Sequence, residues 1–202
     1  LKKLKNTIED FQPDIIFHLA AQSLVKYSYE NPVYTFDTNI LGTVNLLESV
    51  RKFEKIKVVI NVTSDKCYAN NNLGNDFNEN DRLGGIDPYS ASKACSEIIT
   101  ESFFKSFYEK SKTRIATARS GNVIGGGDWS KNRLIPDVFR AINLNKPLIV
   151  RNPDSIRPWQ HVLDPLKGYL LLAKKLYFDN QKKLTQNWNF GPDKKNLKSV
   201  RN

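Results

Sequence analysis

Apolar residues follow two rhythms along the chain. Asp14-Ile15-Ile16-Phe17-His18-Leu19-Ala20-Ala21, Lys57 to Thr63 and Arg114 to Arg119 are short, nearly continuous apolar runs, the pattern of strands covered on both faces. Between the first two, Val33, Phe36, Ile40, Val44 and Leu47 recur at helical spacing to about Glu54. A second long helix is predicted from about Tyr89 to Lys110. Both helices open on the same device, Asn31-Pro32 and Asp87-Pro88, a capping side chain followed by a first-turn proline. Residues 1 to 11 read as the tail of a polar helix. Strand, helix, strand, helix, strand predicts an α/β fold with a parallel sheet and right-handed crossovers.

Beyond Asn122 the rhythm breaks at Gly125-Gly126-Gly127. The pattern there predicts a helix near Pro136 to Leu144, a short strand Leu148-Ile149-Val150, a helix near Asp164 to Tyr177, and a last strand at Trp188-Asn189-Phe190. A boundary is expected near Gly125, with a second part too short to be a complete domain.

Composition narrows the class. The chain has 202 residues, 40% of them hydrophobic, with 11 Phe, 8 Tyr and 3 Trp. That is enough bulk for a packed core, and it excludes disorder. No apolar run approaches the roughly 18 residues of a membrane span, and no charged-then-apolar leader opens the chain, so a cytoplasmic protein is expected. The chain begins with Leu1 and contains no Met, which suggests a fragment. Two cysteines and two histidines predict neither a disulfide scaffold nor a metal site. The formal charge of +10 comes mostly from Lys scattered alongside abundant Asn. This is the signature of compositional drift rather than a nucleic-acid surface, and it is compatible with a smaller anion such as a nucleotide diphosphate.

In a parallel sheet, ligands sit beyond the carboxyl ends of the strands. The second strand ends in Thr63-Ser64-Asp65-Lys66, and Tyr89-Ser90-Ala91-Ser92-Lys93 opens the helix that follows. Tyr89 and Lys93 are four apart and share a helix face. A phenol, with a pKa near ~10, is a poor base at neutral pH. A neighbouring ammonium and a helix N-terminus both favour phenolate. Tyr89 would then take a proton from a sugar hydroxyl that Ser64 hydrogen-bonds, the machinery of hydride transfer to a nicotinamide. Tyr108 and Lys112 repeat the spacing at a helix end, with no proline cap and no polar strand terminus to meet them, so the spacing alone has no catalytic meaning.

Several segments resemble a family: His18-Leu19-Ala20-Ala21-Gln22, Thr38-Asn39-Ile40-Leu41-Gly42-Thr43, Ser64-Asp65-Lys66-Cys67-Tyr68, Pro88-Tyr89-Ser90-Ala91-Ser92-Lys93, and Gly121-Asn122-Val123-Ile124 with the three glycines and Asp128-Trp129. In order over nearly the whole chain, they resemble the extended short-chain dehydrogenase/reductases that modify nucleotide sugars. Within that superfamily, Ser64 to Tyr68, the glycine loop, Arg133-Leu134-Ile135-Pro136-Asp137, Arg151-Asn152-Pro153 and Arg157-Pro158-Trp159-Gln160-His161-Val162 resemble the 4,6-dehydratases that act on CDP-glucose.

The resemblance implies a Rossmann-like doubly wound parallel sheet whose N-terminal strands are missing. Residues 1–124 would be the C-terminal half of the NAD-binding domain and 125–202 part of a smaller nucleotide-sugar-binding domain. It implies NAD as cofactor and a homodimer built on the helices near 32 to 54 and 89 to 110. The implied reaction oxidises C4 of the sugar, eliminates water across C5 and C6, and returns the stored hydride to C6. Tyr89 would be the base, Ser64 would polarise the C4 hydroxyl, and Asp65 would protonate the departing C6 hydroxyl. An epimerase has no such leaving group and no need for that acid.

Most nucleotide-sugar 4,6-dehydratases carry Glu where this chain has Lys66, as the base for the C5 proton; the CDP-glucose group resembles this chain in having Lys. Lys66 could act as a neutral base, as a cation on the enolate, or by orienting the substrate, and the sequence does not choose. Arg157 and Arg133 are the expected guanidinium forks for phosphate, with Asn122 alongside, and Trp129 and Trp159 could line the nucleotide pocket or pack in the core. Ala20, Ala21, Gln22, Tyr89 and Lys93 are the expected cofactor contacts. His18 is expected to order its loop rather than titrate. The G-x-x-G-x-x-G cofactor fingerprint is absent, so weak NAD binding by these residues alone is expected. Two alternatives stand beside this reading: a dehydratase or epimerase for another nucleotide sugar, and a catalytically silent binding module.

Overall fold

A computed structural model of the chain describes residues 1–69, 76–178, 186–193, 195 and 197–201. Helix α1 (Lys2–Phe11) leads into strand β1 (Ile15–His18). Helices α2 (Val25–Glu30), α3 (Pro32–Phe36) and α4 (Gly42–Val50) follow, the last two joined by a π-helical stretch, Asp37–Leu41. Strand β2 (Val58–Val62) ends in a 3-10 turn, Asp65–Cys67. Helix α5 (Pro88–Phe103) runs through a π-helical stretch, Phe104–Tyr108, to strand β3 (Arg114–Ser120). Then come β4 (Val123–Ile124), α6 (Leu134–Asn143), β5 (Ile156–Arg157), β6 (Gln160–His161), α7 (Leu163–Phe178), β7 (Asn187–Phe190) and β8 (Lys198–Ser199).

The main sheet has the order β1-β2-β3-β7, and all its pairs are parallel, with Ile16 opposite Val59, Val59 opposite Ile115, and Thr117 opposite Asn187. Alternate side chains serve opposite faces. Val59 and Ile115 join Ile8, Leu46, Leu47, Val50 and Tyr108 under α1, α4 and the end of the α5 helix. Val58, Ile60, Ala116 and Ala118 meet Tyr169, Leu172, Ala173 and Leu176 of α7. The sheet is thus covered on both sides, as its continuous apolar strands require.

The three principal strands lie where the sequence predicts them. Three differences have physical reasons. Leu148-Ile149-Val150 forms no strand; it lines a cleft, and Ile149 is 86% exposed. Asn31 caps its helix through its backbone carbonyl, which accepts from Thr35 N and Oγ1, whereas Asp87 caps through its side chain, accepting from Ser90 N at 3.0 Å. Residues after Gly125 divide between two layers: α7 and β7 return to complete the main sheet, while β4 pairs with β6 and β5 with β8 in two small ribbons. Gly168 permits the return, because a Cβ there would lie 2.4 Å from the Phe190 ring. Within the Asn-, Gly- and Asp-rich loop after β2, residues 70–75 lie outside the described residues. Among the described residues, no helix is long and apolar enough to cross a membrane, and no group of three or more His, Cys, Asp or Glu is placed to hold a metal ion.

Candidate active site

The carboxyl ends of β2 and β3 open into a cleft of about 1170 Å³. Ser64, Asp65, Lys66 and Tyr89 line one side, and Asn122, Arg133 and Arg157 line the other. Extended backbone at Ser64 carries its hydroxyl out of the sheet, where Oγ accepts from Lys66 N at 3.2 Å and donates to Asp65 Oδ1 at 3.1 Å. Tyr89 sits in the first turn of α5, held by the Asp87 cap and by its own N–H on Ser28 Oγ at 3.2 Å. Its phenol lies near Ser64, whose side chain favours the ionised form. Phenol, hydroxyl and carboxyl therefore stand in one row at the mouth of β2.

Burial pushes the Asp65 carboxyl above the usual carboxylate range, against the pull of Lys66, Ser64 and Arg157. A carboxyl that holds its proton can serve as an acid. Gly121 gives it room: a Cβ there would come within 2.9 Å of Asp65 Oδ2.

The electrostatics of Tyr89 differ from the expectation of a readily ionised phenol. Burial raises its pKa, Ser64 and Arg133 oppose that, and Asp65 and Asp87 reinforce it. The Lys93 ammonium, one turn along, donates instead to the Val62 carbonyl at 3.2 Å. A shared helix face sets where a side chain starts, not where a long flexible chain ends. Burial also pulls the Lys93 pKa down to about 8. His18, at the end of β1, is drawn down to about 4 by burial and by Lys93, so it is a neutral imidazole near neutral pH.

Lys93 has three donors and, among the described residues, one hydrogen-bond acceptor. Two buried N–H groups are left for a ligand, which suits a vicinal diol such as that of a nicotinamide ribose. Ala20 and Ala21 lie in the loop beyond β1, Ala20 exposed and Ala21 half-buried, and their small side chains leave space for a flat ring. Gln22 turns inward: Nε2 donates to Thr35 Oγ1 at 2.8 Å, and its carbonyl oxygen accepts from Leu24 N. It shapes the loop after β1 without lining the cleft.

Arg133 is already engaged. Its Nη1 pairs with Asp128 Oδ2 at 2.9 Å, and its Nη2 donates to Ser23 Oγ at 3.1 Å, tying the glycine-rich loop to the loop after β1. Arg157 acts electrostatically on Asp65, and its guanidinium has no hydrogen-bond partner among the described residues. Trp129 is 62% exposed at the cleft, and Trp159 lines it. Tyr108, of the decoy pair, is a core residue donating to the Leu47 carbonyl at 2.5 Å.

One residue not predicted from sequence is Asn39, in the π-helical stretch between α3 and α4. Its amide donates to Gln22 O at 3.0 Å and Ser92 Oγ at 2.8 Å, and its Oδ1 accepts from Gln22 N at 2.8 Å. Thr43 and Ser96 hydroxyls satisfy its backbone carbonyl, at 2.7 and 3.0 Å. A polar residue on the buried side of a helical pattern was the available signal.

Comparison with known proteins bears on the same site. A family model, GDP-mannose 4,6 dehydratase, matches residues 1–187. The chain is 50% identical to a CDP-glucose 4,6-dehydratase of Salmonella typhimurium over 98% of its own length and 56% of the relative's. It is 30% identical to a UDP-glucose 4-epimerase of Mycoplasma pneumoniae, over 94% of its length and 59% of the relative's. A crystal structure of a dTDP-glucose 4,6-dehydratase from Bacillus anthracis in complex with NAD superposes with a TM-score of 0.77 at 25% identity, covering 98% of this chain and 57% of that one. The chain thus spans somewhat more than half the length of these relatives.

Proposed function

The chain belongs to the GDP-mannose 4,6-dehydratase family, and on that premise we propose that the protein carrying it is an NAD-dependent hydro-lyase converting CDP-glucose to CDP-4-keto-6-deoxyglucose. The observation that carries this reading is the row Tyr89, Ser64, Asp65 in one cleft. Bound NAD would accept the hydride from C4 of the sugar and return it at C6.

The residues of this chain supply the proton transfers. Ser64 and Tyr89 bracket the C4 hydroxyl, and Tyr89 in its phenolate form takes the hydroxyl proton as the ketone forms. The new carbonyl acidifies the proton at C5, which passes to solvent in the cleft and is restored to C5 from there when the hydride reaches C6. Asp65, whose pKa burial raises, gives a proton to the departing C6 hydroxyl, so that water leaves. Lys66 is exposed at the cleft beside Asp65, where an ammonium would stabilise the enolate charge. Lys93 offers its two free N–H groups to the nicotinamide ribose, and Arg157 offers its unengaged fork to a phosphate oxygen.

The choice of CDP is supported by the 50% identity to the Salmonella enzyme. An epimerase reading is supported by the more distant UDP-glucose 4-epimerase, but an epimerase has no use for an acid at C6, and Asp65 supplies one. The same reading includes a second copy of the chain. Val33, Tyr34 and Leu41 on the 32–50 helix, with Ile98 and Phe107 on the 88–108 helix, are large exposed apolar residues that a homodimer would cover. The test is to supply the full-length protein and NAD with CDP-, dTDP-, GDP- and UDP-glucose and to follow the 4-keto-6-deoxy product. Turnover confined to CDP-glucose is expected; C4-epimerised sugar from any of them contradicts the proposal.

A further inference from the structure

Beneath the catalytic row lies a carboxylate that the mechanism above does not use. Glu97 is one turn beyond Lys93 on α5, and its side chain and that of Arg119 are each 1% exposed. Three donors engage the two oxygens of the carboxylate. Thr63 Oγ1 donates to Oε1, while Thr117 Oγ1 and Arg119 Nη2 donate to Oε2, each at 2.7 Å. Thr63 immediately precedes Ser64. Lys93, in turn, holds the Val62 carbonyl. Two successive turns of α5 therefore grip two successive residues at the end of β2, and the next residue is the catalytic serine.

Lys93 faces four elements, and the charges on each can be named. His18 at the end of β1 is neutral near neutral pH. Burial pushes the thiol of Cys67, in the turn after β2, up to about 12, which keeps it protonated. Glu97 on its own helix is the anion that favours the ammonium. Arg119 on β3 faces Glu97, with Tyr68 stacked against its guanidinium at 5.0 Å and accepting from Nη1 at 2.8 Å. A fully desolvated ion pair is seldom a net gain in stability over packed apolar residues, so its place under the site points to a role in the site.

We propose that Glu97 is a positioning residue of the active site: it anchors Thr63, and through it Ser64, to α5, and it supplies the counter-charge for Lys93. The roles given to Ser64 and Lys93 rest on the dehydratase reading, but the primary measurement does not.

In full-length protein labelled with ¹⁵N-lysine, the Lys93 Nζ titration is followed by NMR in wild type, Glu97→Gln, Glu97→Asp and the charge-balanced Glu97→Gln/Arg119→Met. The pH profile of kcat/KM is measured on the same samples. Losing the carboxylate is expected to move the Lys93 titration down by about one unit or more. Lys93 acts as a cation, so activity falls as pH rises through its pKa, and that limb should move to lower pH together with the NMR signal. Glu97→Asp should keep both near wild type. Should Glu97→Gln not fold, because it leaves Arg119 buried and unpaired, the double variant is read instead, with a smaller downward shift expected because the Arg119 cation is removed as well. An unmoved Lys93 titration in a folded variant overturns the proposal, as does activity lowered equally at every pH. Failure of both variants to fold also overturns it, since the pair is then an element of folding. A wild type that makes no dehydrated product, yet shows the expected NMR shift, condemns the dehydratase reading and leaves Glu97 as the counter-charge of Lys93.

Discussion

The Lys93 ammonium donates to the Val62 carbonyl, 3.2 Å away at the last residue of β2. It is a charge placed inside the protein, 6% exposed, and burial has lowered its pKa from 10.5 to about 8. The sign follows from linkage. Because the folded-state pKa lies below the unfolded value, the unfolded chain binds the proton more tightly, and stability rises with pH between about 8 and 10.5. Below that window the buried charge costs about 3 kcal/mol, from the size of the shift at 1.36 kcal/mol per unit. Lys93→Met should therefore abolish turnover and stabilise the fold at neutral pH by about that amount, with the gain fading as pH rises from about 8 to 10.5. Urea unfolding of both proteins across this range measures it. A destabilised Lys93→Met would show that the ammonium supports the fold rather than straining it.

Asp65 has the opposite shift. Its folded-state pKa is raised, chiefly by burial, so its contribution to stability is complete below the unfolded value of 3.8 and is lost as pH rises through the raised one. Asp65→Asn should leave the protein at least as stable at neutral pH. It should slow water elimination by about 10²–10⁴-fold, the usual worth of a positioned acid, while C4 oxidation proceeds. Reduced-cofactor absorbance should then accumulate on mixing with substrate. Unimpaired turnover would remove Asp65 from the chemistry.

The two arginines separate experimentally. Arg133 is spoken for by Asp128 and Ser23, while Arg157 faces the cleft with its fork unengaged among the described residues. Charge-assisted hydrogen bonds are worth about 1.5–3 kcal/mol. Arg157→Ala should weaken calorimetric binding of CDP by about 10–100-fold, and Arg133→Ala should weaken it less. Equal losses, or a larger one at Arg133, would mean that substrate displaces Asp128 from Arg133.

The pair beneath the site makes a separate stability prediction. Arg119→Met leaves the Glu97 carboxylate buried with two hydroxyls and without its guanidinium partner, and should cost about 3–5 kcal/mol in denaturant unfolding. Replacing both partners should cost much less. If the single and double variants are equally stable, the pair carries little electrostatic coupling.

Much of this site was legible in the sequence because its residues sit at strand ends and helix starts. Apolar runs mark the strands, Asp87-Pro88 marks the helix, and Ser64 and Tyr89 follow from them. The electrostatics were not legible. Spacing places Lys93 on the face of Tyr89, but a four-carbon chain can turn to Val62, and only the packed structure shows that it does. Glu97 has the sequence appearance of an ordinary helix-surface acid; its burial depends on Thr117 and Arg119 arriving from β3. Asn39 was hidden because a π turn shifts the helical register that sequence periodicity assumes. The return of β7 to the sheet depends on pairing with β3 across a long stretch of chain, which no local pattern encodes. Leu148-Ile149-Val150 has strand-forming residues but no partner strand, so it lies along the cleft instead.

The proposal as a whole turns on whether one cleft oxidises, dehydrates and reduces the same sugar. Incubating the full-length protein with NAD and CDP-glucose deuterated at C4 measures this directly. The proton-transfer row of Tyr89, Ser64 and Asp65 predicts a 4-keto-6-deoxy product that carries the deuterium at C6. Deuterium lost to solvent, or retained at C4 of an undehydrated sugar, would contradict it.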